Sequence, residues 1–277
     1  MQLLLLESFG ILRQIYRRKK REANKKNELT SEYVEFDGRK LYRIKALKSF
    51  YLCGLTVKAG ALGGYIEKEE NLSQEGNAWI HGNAYVYDNA YVRDNAYICE
   101  EAWIHGNAEI KNEAWIHGNA EIGGNAKVKD EAEVYGDAEV CDNAEIRDNA
   151  EILGDARIGG KAQIYGKAKV MRGVVVHANA EILGDAQIQG VVNISQDARI
   201  CSDEDYAAVQ GFRTKFKFAT FYRAKDEKVM VYCGDFNGNL EGFREWAKKT
   251  FDGKNQKEYL TIADFMEQHF APEKEED

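Results

Sequence analysis

Imidazole and thiol side chains recur on a fixed interval in this chain: His81, Cys99 and His117 stand eighteen residues apart, and His105 and His177 are separated by a multiple of the same step. Imidazole is the usual general base near neutral pH. Two imidazoles and a thiol brought together are also ligands that a soft cation accepts, although no fourth ligand follows in the same series. The better reading of His81, Cys99 and His117 is a row of solvated side chains, and no metal is expected. His269, the remaining histidine, falls in a segment that patterns as a terminal helix.

Aromatic and basic residues follow the same step. Trp79, Tyr97 and Trp115 form one series, Tyr85 and Trp103 a second, and Tyr91 begins a third. Such a cluster marks a surface that something covers, either the protein's own N-terminal hairpin, its first helix or another subunit, or else a base or sugar stacked on the rings. Arg93, Lys111, Lys129 and Arg147 form a basic series, and the residues two positions earlier include Glu109, Lys127 and Glu145. Like charges in a row suggest an anionic partner, a phosphate-bearing ligand or an acidic neighbouring subunit. Mutual neutralisation by the adjacent glutamates is the simpler account.

The elements that must carry these series are legible from a six-residue repeat. From position 78 to 198 every sixth residue is small: nineteen are Ala, and Val174 and Val192 are the exceptions. Two residues after each, from Ile80 to Ile200, all twenty-one positions are Ile or Val. Residues two apart share one face of a strand and the residue between them points the other way. The unit, as in Ala78-Trp79-Ile80-His81-Gly82-Asn83, is therefore a very short strand followed by a turn. It buries its apolar face only if successive units coil around an interior. Three units per turn predict a triangular prism of about seven stacked coils, with residues i and i+18 as neighbours on one outer face.

The A-x-[IV]-x-G-N unit resembles the hexapeptide repeat of left-handed β-helix proteins, the superfamily of trimeric acyltransferases. The lead-in Val57-Lys58-Ala59-Gly60-Ala61-Leu62-Gly63-Gly64-Tyr65-Ile66, with Asn71 to Gly76, is similar to a narrower group of bacterial and phage-encoded repeat proteins, some described as acyltransferases and others as polymer-forming. The resemblance covers roughly residues 41 to 200. It implies a left-handed coil, a hand that periodicity does not show and that runs against the usual crossover preference. It also implies assembly as a homotrimer and, in the enzymes, acyl-CoA as the co-substrate with a histidine base between subunits. On that implication His81, His105, His117 and His177 are the catalytic candidates. The repeats contain no insertion, so none of the four sits on a projecting loop.

The ends read differently from the coil. Residues 1–32 contain an apolar series, Leu5, Phe9, Leu12 and Ile15 or Tyr16, followed by Arg17 to Arg21; a basic amphipathic helix of this kind can lie on a membrane or grip nucleic acid, but more often such a segment caps a solenoid end or is loosely ordered. Residues 33–77 hold a hairpin around Asp37-Gly38, placed to cover the first coil. Residues 78–203 are the repeat coil. Residues 204–277 form a small α+β domain, with strands expected at Phe216 to Ala224 and Lys228 to Phe236, a helix from Leu240 to Phe251 capped by Asn239, and another from Glu258 to Phe270.

Composition sets the outer bounds. One proline against twenty-five glycines suits short strands joined by tight turns. A net charge of -8 argues against general nucleic-acid binding. Five dispersed cysteines without a CxxC fit a reducing cytoplasm better than a disulfide framework. The opening apolar run precedes its basic residues, the reverse of a secretory signal, and no membrane span is read. The expectation is a mainly β, non-enzymatic cytoplasmic scaffold with no cofactor, offering outward rows to a protein or a small anionic ligand. Acyl-CoA-dependent transfer and filament growth through open coil ends are the alternatives.

Overall fold

The computed structural model describes residues 25–211 and 218–272. The amphipathic series at Leu5 to Tyr16 and the basic run after it lie outside the described residues. The chain enters through an antiparallel hairpin, β1 (Asn27–Phe36) and β2 (Arg39–Ala46). Asp37 and Gly38 turn it with φ of 48° and 73°, the paired positive dihedrals that suit a two-residue hairpin turn. A second, smaller hairpin follows, β3 (Phe50–Leu52) and β4 (Leu55–Val57), turned by Cys53 and Gly54. Then β5 (Leu62–Ile66) enters the coil itself.

The expected prism is present as a parallel β-solenoid of about eight turns. Twenty-one two-residue strands, β6 (Trp79–Ile80) to β26 (Arg199–Ile200), recur every six residues and divide among three sheets. The first face runs from Tyr85–Val86 to Asn193–Ile194, the second from Tyr91–Val92 to Arg199–Ile200, and the third from Trp79–Ile80 to Gln187–Ile188. Within each face the partners are eighteen residues apart, as in Trp103 beside Glu121. The coil begins earlier than the repeats: Ile66 pairs with Val86 and Leu72 bridges to Val92, both in parallel. Those intervals are twenty residues, because five residues separate Leu72 from Ala78 where three separate Ile80 from Ala84.

All twenty-one Ile or Val positions are fully buried, and the small positions beside them are buried as well. At roughly 1.5 to 3 kcal/mol for each buried branched side chain, this interior outweighs any surface pairing. Strand amides donate to the next coil, as from Trp79 N to Ala96 O at 3.0 Å and from Tyr97 N to Ala114 O at 2.9 Å. At the corners, carboxylates one coil back accept amides: Gly118 N donates to Glu100 Oε2 at 2.8 Å and Gly160 N to Asp142 Oδ2 at 2.9 Å. Along one edge Asn89, Asn107, Asn125 and Asn143 form a side-chain amide ladder with links of 3.2, 2.9 and 3.1 Å.

Both ends of the tube are covered. At the start, β2 pairs antiparallel with β5 and so continues the first sheet outward. Lys26 is buried beneath the β3–β4 hairpin, its Nζ donating to Ala78 O at 2.8 Å and lying 5.5 Å from the Phe50 ring. Burial with no carboxylate beside it lowers the Lys26 pKa to about 8.

At the far end stands a four-stranded antiparallel sheet of β27 (Tyr206–Gln210), β28 (Phe218–Arg223), β29 (Val229–Cys233) and β30 (Phe236–Asn239). Its Tyr222 belongs to the core of the coil, and the Tyr222 and Ser195 hydroxyls lie 3.1 Å apart. Thr220 Oγ1 accepts from Asn193 N at 3.1 Å, and Lys225 pairs with Glu181 at 2.6 Å. The opposite face packs Phe221 and Val231 against α1 (Leu240–Thr250) and α2 (Gly253–His269). Asn239 caps α1 as expected, accepting from Gly242 N at 2.8 Å, whereas α2 starts five residues before the expected Glu258. The terminal α+β region thus closes the solenoid with one face and encloses its own core with the other.

Candidate functional site

The outward aromatics separate into covered and uncovered groups. On the first face Phe36 of β1 packs on Tyr85, Tyr87 and Trp103, at ring separations of 5.5, 5.6 and 5.1 Å. On the third face Trp79 points outward from the rung yet is only 1% exposed, because Phe50 of β3 lies edge-on against it at 5.6 Å. Tyr97 is also buried, and that burial raises its pKa to about 12. Trp79 and Tyr97 are therefore covered by the protein's own N-terminal part, by the small β3–β4 hairpin rather than the one around Asp37-Gly38, and offer no open stacking platform. Trp103, Trp115 and Tyr91 keep substantial exposure, 37%, 39% and 37%. They stand on the first, third and second faces respectively, so the series that share one interval do not share one surface.

Beneath the β3–β4 hairpin is a cavity of about 330 Å³. Trp79 and Tyr97 border it from the coil, Leu52, Leu55, Val57, Ala61 and Leu62 border it from the hairpin side, and Thr56, Lys58 and His81 add polar groups.

The histidines are placed one by one. His81 is exposed and borders that cavity, with its ring 6.5 Å from Tyr97. His105 stacks on Tyr87 at 5.3 Å and its Nε2 lies 2.9 Å from Glu121 Oε1. His117 lies between Trp115 and Tyr135, 4.6 and 4.8 Å from their rings, with Nε2 2.8 Å from Glu133 Oε1. His177 Nε2 lies 3.0 Å from Asn193 Oδ1. A carboxylate or amide oxygen only accepts, so Nε2 carries the proton in His105, His117 and His177, leaving Nδ1 as the basic nitrogen when the ring is neutral. His269 ends α2 against Phe270, 4.9 Å away. His81, Cys99 and His117 do not converge: Cys99 is buried and its sulfur accepts from Trp115 Nε1 at 3.5 Å. Among the described residues no three His, Cys, Asp or Glu side chains are grouped to hold a metal.

No family model matches the chain, and no curated protein matches it in sequence. The function must be read from its surfaces.

The basic series on the second face is neutralised within the molecule. Arg93 reaches Glu109 at 2.7 Å and Asp94 at 2.8 Å; Lys111 lies 3.6 Å from Glu109. Lys129 reaches Glu145 at 2.8 Å, and Arg147 contacts Asp148 at 3.0 Å and rests 3.9 Å over the Tyr165 ring. Burial pushes the Glu109 carboxyl upward, but Arg93 and Lys111 outweigh it and leave the pKa below the ordinary value. The adjacent-glutamate account therefore describes the row as it stands.

One feature of the side walls was absent from the sequence reading. On the third face Tyr135, Leu153 and Met171, each partly exposed, form a column continuing from His117. On the same three turns the first face presents Cys141 and Gly159, while Gly123 is buried under the His105 ring. One wall carries an apolar ridge and the next a strip of small residues. The signal lay in the residues following each Ile or Val, sorted by face.

Proposed function

We propose that this protein is a non-enzymatic β-solenoid scaffold whose flat walls bind protein, beginning with further copies of itself. The observation that carries the reading is the pairing of a Tyr135, Leu153 and Met171 ridge with the small residues Cys141 and Gly159 on a neighbouring wall. Copies standing side by side with parallel axes would lay each ridge in the next strip, and three such contacts close a ring. A left-handed homotrimer, as the hexapeptide-repeat resemblance implies, is the assembly this reading favours. Neutralised side-chain rows elsewhere on the walls support a scaffold rather than an anion receptor.

Replacing Leu153 with Asp is expected to dissociate the assembly, with a loss of at least tenfold in apparent association measured by analytical ultracentrifugation. Glu151→Gln on the same wall is the control and should leave it unchanged. A wild-type monomer at all concentrations, or an assembly indifferent to Leu153→Asp, would refute the proposal.

A second reading, acyl-CoA-dependent transfer, draws on His81, which borders the cavity and has no side-chain hydrogen-bond partner among the described residues. It predicts thiol release from acetyl-CoA that His81→Ala abolishes; absence of any release by the wild-type protein removes this reading.

A further inference from the structure

The cavity beneath the β3–β4 hairpin serves neither wall pairing nor closure of the tube. We propose that it binds a small amphipathic carboxylate, with the apolar body lying between Leu55 and Leu62 and the carboxylate between Lys58 and His81.

Three observations converge on that ligand class. First, the floor is held in place. Trp79 is held between Phe50 and the backbone of Gly63, where an added Cβ would stand 2.7 Å from Trp79 Cζ2 and 2.6 Å from Ile44 Cγ1. Gly63 lets β5 come close enough to fix the indole, which is itself covered and serves as a firm base under the slot, and a slot already formed needs little ordering when an apolar body enters it. Second, the rim is apolar and unshielded: Leu55 is 55% exposed and Leu62 46%. A body seated between them would remove both from water. Third, no carboxylate side chain borders the cavity, and the residues there that can bear charge at neutral pH are Lys58 and His81. Lys129 and Lys169 each pair with a glutamate, at 2.8 and 2.7 Å. Lys58 makes no ion pair among the described residues. An unneutralised cation beside an apolar slot favours an anionic head on an apolar tail over a neutral or cationic one. The volume is at the lower end of small-molecule sites, which suits a chain of about eight carbons or a single aromatic ring.

Equilibrium dialysis of the full chain against octanoate, 1-octanol and octylammonium tests the assignment. Octanoate should bind saturably at one site per chain and at least tenfold more tightly than octylammonium. Lys58→Gln should weaken octanoate at least tenfold and leave 1-octanol unchanged. Leu62→Trp, a substitution at an exposed rim position that fills the slot, should remove binding of all three with the circular dichroism spectrum intact; Leu55→Trp is the second filling variant. Absence of saturable octanoate binding, equal affinity for octylammonium, or an unaltered octanoate affinity in Lys58→Gln would overturn the proposal. Leu153→Asp should bind octanoate like the wild type, so loss of wall pairing and loss of the cavity ligand are separately visible.

Discussion

Replacing Ile146 with Ala is expected to cost about 2 to 5 kcal/mol of unfolding free energy, while Arg147→Gln, the very next residue, should change stability by less than about 1 kcal/mol. Ile146 is fully buried and stacks in its sheet between Val128 and Ile164. Its truncation leaves a void in a tube whose other side chains are fixed by the coils above and below, so collapse around the void is limited. Arg147 stands on the outside among Asp148, Glu145 and Tyr165, where water replaces any lost partner. Ile146→Asp should be more severe still, since a carboxylate there meets neither water nor a cation. Urea unfolding followed by circular dichroism measures all three. Equal midpoints for the Ala and Gln variants would show that the interior does not carry the stability.

The second large effect is a dependence on alkali centred on Lys26. The amine has its ordinary pKa of 10.5 in the unfolded chain and about 8 when folded. The unfolded chain therefore holds the proton more tightly, and between about pH 8 and 10.5 unfolding takes up a proton. Stability from this residue rises with pH across that window, by roughly 3 kcal/mol in total, and is flat below it, where the amine is charged in both states. Buried Tyr97 and Cys233, both pushed up to about 12 by burial, act in the opposite sense in strong alkali. The informative quantity is thus the wild-type stability minus that of Lys26→Met, which keeps an unbranched aliphatic stem. That difference should climb in favour of the wild type from pH 8 to 10.5; a difference independent of pH would place the Lys26 amine in water.

The repeat made the prism legible because one constraint, a narrow tube, acts on every sixth residue. Where the constraint changed, so did legibility. Ile66 and Leu72 already belong to the coil, yet the two additional residues between Leu72 and Ala78 shift the phase, so a reading by fixed period starts the coil late. The β3–β4 hairpin is hidden for another reason: its strands have three residues each and its turn is Cys53-Gly54, outside the Asn-Gly and Asp-Gly pairs that announce a tight turn.

The side-chain rows show a further limit. Spacing indicated that Trp79 leaves the rung outward, but not that Phe50, twenty-nine positions earlier, lies on top of it. Backbone neighbours are eighteen apart, whereas Arg93 to Glu109, Lys129 to Glu145, His105 to Glu121 and His117 to Glu133 are all sixteen apart. Side chains just past a strand lean diagonally onto the strand of the next coil, a direction that sequence spacing along one column does not contain.

Hairpins sit over one mouth of the tube and a sheet over the other, and the height of the coil between them is set by the number of repeats. Duplicating three successive repeats in the middle would insert one storey, about 4.8 Å of additional height, without asking either lid to change. Evolution can therefore tune the reach of such a column in fixed increments, much as a mast is extended by adding identical sections.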